Sequence, residues 1–145
     1  MGDLSTNLSL YEVIPKREYD LVKAGKVPVF NLIDMRMVLA DQKFINRYGT
    51  TIINNWHEGG SNQFCGYRPW DCAEGARYSL HRMGKATDKH PVKVTVQEVH
   101  ADLIKYPDLF YAMGYTIAES PAMTPSWVHT AIADTGQLKL LMVVP

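Results

Sequence analysis

The chain has 145 residues, with 15 Lys and Arg against 15 Asp and Glu, 46% hydrophobic residues and 21% charged ones. That composition belongs to a folded globular protein, and the length suits one domain rather than two. Zero formal net charge argues against adhesion to nucleic acid or anionic lipid through the overall field, and two cysteines are too few for a disulfide-built scaffold.

No run approaches the ~20 apolar residues of a membrane-spanning helix. The start, Met1 to Asn7, lacks the basic and apolar segments of a secretory signal, so the expectation is synthesis in a cytoplasm without a signal peptide. Gly2 followed by Thr6 fits an N-myristoylation pattern only superficially.

Taken in order, Lys16 to Lys23 predicts a short helix stopped at Gly25. After Pro28 comes a longer helical stretch, with Ile33, Met37, Ala40, Phe44 and Tyr48 on one stripe and Gly49 closing it. Thr51 to Trp56 reads as a strand. Between Trp56 and Asp88, glycines and prolines break any long periodic element, and long irregular segments of this kind usually carry function. Thr95-Val96-Gln97-Glu98 is a capping box that opens a second clear helix, with Val96, Val99, Leu103 and Tyr106 inward and Pro107 interrupting it or starting a new turn. Three strand-like runs follow: Tyr115 to Ala118, Trp127 to Ala133, and Leu138 to Val144. The turn at Asp134-Thr135-Gly136 predicts an antiparallel hairpin between the last two. The expected class is therefore α+β, a single domain over residues 1–145 with helices packed on a small, mainly antiparallel sheet.

His81, Asp88 and His129 stand out chemically. Two imidazoles and a carboxylate are a set that holds a catalytic zinc in three places and leaves a fourth for water. Seven residues of helix would part His81 from Asp88 by ~10.5 Å, too far for one ion, so a chain reversal at Gly84 is required. In a strand, Trp127, His129 and Ala131 share one face, opposite Val128, Thr130 and Ile132. Spacing alone decides nothing, because a single strand histidine is more often a packing residue than a ligand.

Ser79-x-His81-x-x-Gly84-x-Ala86-x-Asp88 resembles the signature of the M15 zinc peptidases at all five fixed positions. Gly66-Tyr67-Arg68 resembles that family's upstream element, and Trp127-Val128-His129 its C-terminal Trp-x-His element. These pieces, from Gly66 to His129, span about half the chain. The resemblance implies a Hedgehog/DD-peptidase-like fold and a bound Zn²⁺ held by His81, Asp88 and His129. It also implies hydrolysis of an L,D or D,D bond of peptidoglycan stem peptides through a zinc-bound water. Glu119, the only carboxylate between Asp108 and His129, would be the general base. Arg68 would face the oxyanion or a substrate carboxylate. Tyr67, Ser79, His57 and Trp127 would be substrate or supporting contacts.

Two positions depart from the family pattern. Glu119 stands ten residues before His129, a wider gap than usual, and Ala131 replaces the acid that many relatives carry two residues after the third ligand. His90 and His100 are expected in solvent. Cys65 and Cys72 flank the Arg68 loop and can pair or stay reduced, with thiols favoured in a protein made in a cytoplasm. Small size and the missing signal point to a phage or prophage enzyme, delivered to the wall by a holin or by the virion. The rival expectation is a non-catalytic phage structural or wall-binding module that keeps the fold.

Overall fold

Two of the helices start at a capping side chain, one at Asp34 and one at Thr95. In the computed structural model, which describes residues 3–145, α1 spans Lys16–Lys23 and α2 spans Met35–Tyr48. Gly2, and with it the acylation pattern, lies outside the described residues. The stretch after Pro28 begins as a single 3-10 turn, Val29–Asn31, and α2 starts later, because the Asp34 carboxylate accepts the Arg36 N–H at 3.0 Å. α3, Val96–Lys105, opens on the expected capping box: Thr95 Oγ1 accepts from Glu98 N at 3.1 Å, and Glu98 Oε2 accepts from Thr95 N at 2.7 Å. Pro107 then starts α4, Pro107–Met113, at the first-turn position where its missing N–H costs nothing.

The strands are β1 (Asp3–Ser5), β2 (Leu8–Ser9), β3 (Thr51–Ile52), β4 (Ala86–Pro91), β5 (Ile117–Glu119), β6 (Val128–Ala131) and β7 (Leu141–Val143). β1 and β2 form a small ribbon, and the other five form a sheet in the order β3-β4-β6-β5-β7. Every pair in that sheet is antiparallel except β5 with β7. The molecule is α+β, with a mainly antiparallel sheet.

Three expectations are corrected. The predicted strand from Thr51 to Trp56 ends at Ile52, and Trp56–Glu58 is a 3-10 turn. β4, the strand that carries Asp88, begins at Ala86 inside the segment expected to be irregular and runs on to Pro91. The predicted β6–β7 hairpin does not form either. The reversal at Asp134 to Gly136 is present, but β5 occupies the place beside β6. Thr116 Oγ1 both accepts from Ala133 N (2.7 Å) and donates to Ala133 O (2.8 Å), while Leu141 N donates to Thr116 O (2.9 Å). β7 is thereby laid on the far side of β5.

The helices pack Met37, Phe44, Val99, Leu103 and Phe110 against Tyr115 and Val128 of the sheet, and a second cluster beneath the N-terminal ribbon joins Leu8, Leu10 and Ile14 to Val38 and Ile45. Across the first cluster runs a buried polar network. Lys89 Nζ lies 2.9 Å from Asp41 Oδ1 of α2 and donates at 2.5 Å to the hydroxyls of both Thr87 and Thr130. Tyr115 Oη donates to Asp41 Oδ1 at 2.7 Å. Burial pushes the Lys89 ammonium below its ordinary range, against the pull of Asp41, and drives the Tyr115 hydroxyl well above its own.

His100 and His90 are not solvated. His100 is 4% exposed, since on α3 it lies four residues after Val96 and three before Leu103, on the helix's inner side. His90 is half-buried in β4, where it pairs with Ile52. Burial lowers the His100 pKa, against a hydrogen bond with the Trp127 backbone.

Two measurements check this packing. Lys89→Met leaves the Asp41 carboxylate buried without its cation and is expected to cost about 3–5 kcal/mol in urea unfolding, whereas the double variant Lys89→Met/Asp41→Leu recovers much of that loss. A cost below about 1 kcal/mol for the single variant would contradict a buried pair. For His100 the folded pKa lies below the unfolded one, so its stabilising effect is complete above the unfolded value of about 6.5 and is lost as pH falls toward the folded value. His100→Gln should flatten that part of the stability–pH curve; an unchanged slope would place the titration elsewhere.

Candidate metal centre

β4 and β6 pair so that Asp88 stands directly opposite His129, with Ala86 opposite Ala131 and Lys89 opposite Val128. Side chains alternate along both strands. Thr87, Lys89 and Thr130 therefore point into the buried network, and Asp88 and His129 point the other way. His129 Nδ1 and Asp88 Oδ1 meet at 2.7 Å.

His81 comes to them from a different kind of structure. It lies on a 3-10 turn, Leu80–Met83, whose N-terminal residue Ser79 offers its hydroxyl to the His81 N–H at 3.3 Å. Gly84 ends the turn at φ +65°, and a Cβ there would stand 2.0 Å from Leu32 O. Glycine is thus required both for the left-handed backbone and for the close approach. The reversal brings His81 Nε2 within 3.4 Å of Asp88 Oδ1 and 3.3 Å of His129 Nδ1.

One potential ligand atom from each of the three residues lies within 4.8 Å of the others, and this group can hold a metal ion. The chemistry of the donors fits that use. His81 Nδ1 lies 2.7 Å from the Gly66 carbonyl, to which it can only donate. That leaves the lone pair on Nε2, turned toward Asp88 and His129, as the outer hydrogen-bond partners of metal-bound histidines commonly arrange. Burial opposes ionisation of Asp88, but hydrogen bonding to His129 holds its carboxyl well below the usual carboxylate range. Two imidazoles and an ionised carboxylate are an appropriate set for zinc.

The Gly66-Tyr67-Arg68 element is stitched to both ends of this group. Asp88 N donates to Cys65 O at 2.7 Å, and Arg68 N donates to His81 O at 3.1 Å. The Arg68 guanidinium is itself held in place, with Nε on Phe64 O at 2.7 Å and Nη2 on Asp88 Oδ2 at 2.9 Å. Asp88 thus turns one oxygen toward the histidines and the other toward Arg68.

The three residues line an open cleft of about 410 Å³, together with Arg68, Glu119 and Trp127. Ser79 also lines it. The wide spacing of Glu119 from His129 has a simple geometric meaning. β5 pairs with β6 through Ile117–Ala131 and Ala118–Thr130, so one further step of that register sets Glu119 beside His129, on the same face. Most of the ten-residue interval is the loop, residues 120–127, that joins the two strands.

Two expected contacts stay away from the cleft. Tyr67 is buried in the second core cluster. His57 packs at a tilt against Tyr11, with ring centroids 4.2 Å apart. Ala131 is fully buried, paired with Ala86 on one side and Ile117 on the other. Cys65 and Cys72 are both free thiols, and burial, reinforced by nearby Asp88, pushes Cys65 up to about 12. Among the described residues, no helix is long and apolar enough to cross a membrane.

In comparisons with protein-family models, with curated proteins and with solved structures, nothing matches this chain.

Calorimetric titration of the metal-stripped chain with Zn²⁺ should reveal one tight site per chain, and His81→Ala should abolish it. Stoichiometric binding retained in His81→Ala would contradict the ligand assignment.

Proposed function

We propose that this chain is a zinc-dependent peptidase of the M15 type, with a Hedgehog/DD-peptidase-like fold, that hydrolyses peptidoglycan stem peptides at an L,D or D,D bond. The observation that carries the proposal is the Asp88–His129 pair across two strands, with His81 closing onto it and Glu119 of the neighbouring strand lining the same open cleft. The sequence elements that resemble the family supply all four of these residues except Glu119, which comes from the neighbouring strand.

His81 Nε2, Asp88 Oδ1 and His129 Nδ1 would hold the zinc. When bound, zinc supplies Lewis acidity that brings a water in its open position to a pKa of roughly 7. Glu119 takes the proton of the attacking water and returns it to the nitrogen of the departing amine. Arg68 sets a fixed positive charge on the cleft wall, where it faces the developing oxyanion or a substrate carboxylate. The Asp88–Arg68 contact keeps that charge from swinging into solvent. Ser79 and Trp127 border the substrate's path.

A domain with no net charge has no general attraction for an anionic wall, so recognition falls to the cleft and to delivery. Release by a holin or carriage on a phage particle would provide that delivery. The rival, a wall-binding or structural module that uses a metal only for stability, predicts no turnover at all.

Two experiments separate these readings. Purified cell walls should clear around the zinc-loaded protein and remain intact when a chelator is present; intact walls in both arms would exclude the peptidase. Glu119→Gln should keep its metal yet lose at least the ~10²-fold typical of a general acid–base group. Turnover close to the parent would move the base to another residue.

A further inference from the structure

Arg82, the residue after the ligand His81, is 6% exposed and makes no ion pair with a carboxylate among the described residues. Its guanidinium gathers the backbone carbonyls of one loop instead. Nη1 donates to Pro69 O and Trp70 O at 2.7 Å each, Nη2 to Cys72 O at 2.8 Å and more weakly to Glu74 O at 3.5 Å, and Nε to Ala76 O at 3.2 Å. A guanidinium offers five N–H donors in a rigid planar fork, and no other side chain can serve so many carbonyls from one point.

The loop so gathered contains no helix or strand, yet it forms one wall of the cleft through Gly75 and Ala76. Gly75 has φ +75°, and a Cβ there would stand 2.4 Å from Arg68 Nη1. The loop is therefore laid directly on the Arg68 guanidinium, whose Nη2 reaches Asp88 Oδ2. Without the Arg82 cation, several carbonyls would lose their donor and the loop would lose the group that fixes its course.

We propose that Arg82 is a positioning residue for the cleft: by collecting the carbonyls of residues 69–76 it seats Gly75 against Arg68 and so fixes where the Arg68 charge stands beside Asp88. Its kinetic consequence rests on the peptidase proposal; its structural consequence does not.

The test uses the full chain loaded with metal and compares the parent with Arg82→Ala, with and without free guanidinium ion at non-denaturing concentration. Three quantities are read: proteolytic cutting within residues 69–76, the visible spectrum of the Co²⁺-loaded protein, and kcat/KM on a wall peptide. In Arg82→Ala the loop should become cleavable, the cobalt spectrum should shift as Arg68 leaves Asp88, and kcat/KM should fall about 10- to 100-fold with one metal still bound. Guanidinium should fill the vacated cage and restore loop protection, the spectrum and part of the rate. Arg82→Lys, with three donors, should fall between the two, and it carries the same measurements if Arg82→Ala does not fold. Gly75→Ala should displace Arg68 with the cage intact, giving a loss that guanidinium cannot relieve.

An uncut loop with an unchanged spectrum in Arg82→Ala would overturn the proposal, as would a cut loop with parental spectrum and kcat/KM. Failure of guanidinium to restore protection would also overturn it. If the parent cleaves no wall peptide, the peptidase proposal falls, while loop protection and the cobalt spectrum still decide the role of Arg82.

Discussion

The pairing of β4 with β6, which sets Asp88 opposite His129, is the constraint on which the rest of the site depends. A slip of one residue in that register would exchange the faces of every side chain on the slipped strand. Asp88 or His129 would then turn toward the buried network, and a residue now in that network would turn toward the cleft. The network beneath is what makes such a slip costly. Lys89 bonds Thr87 on its own strand and Thr130 on the next, and reaches Asp41 on α2, so the polar underside locks both strands to the helix layer. A buried charge with several good partners stabilises only modestly over an apolar core, but it tolerates few alternative arrangements.

Two buried cations thus brace the two sides of the His81–Asp88–His129 group by different means. Lys89 works from below the sheet through hydroxyls and a carboxylate. Arg82 works from the side through the carbonyls of a loop that has no regular structure of its own. Between them, the strand that presents Asp88 and the loop that covers Arg68 are both specified. The cleft is therefore built from a sheet pair and a loop wall, each held by its own buried cation.

Much of this was legible in the sequence wherever periodicity or capping carries the information. α1, α3 and the start of α4 follow from Gly25, the Thr95–Glu98 box and Pro107, and the α2 stripe of Met37, Ala40, Phe44 and Tyr48 is buried as its spacing implies. The convergence of His81, Asp88 and His129 was legible through motif order and the glycine at position 84. β4 was not, and the reason is physical. Its inward residues are Thr87 and Lys89, so the alternation that marks a half-buried strand is written in polar side chains whose partners are remote in sequence. The β6–β7 arrangement failed for a related reason: a turn sequence reports a chain reversal but not which strand fills the space beside it. Arg82 gave no signal at all, since a cation between His81 and a methionine reads as surface until the loop carbonyls are seen around it.

The central claim is that His81, Asp88 and His129 bind one zinc ion with Glu119 at its open side. Anomalous diffraction at the zinc edge from crystals of the metal-loaded protein tests it most directly. One strong peak bonded to His81 Nε2, Asp88 Oδ1 and His129 Nδ1, with the Glu119 carboxylate facing the remaining position, is the expected result. A peak elsewhere, or an ion at the three ligands with Glu119 turned out of the cleft, would contradict it.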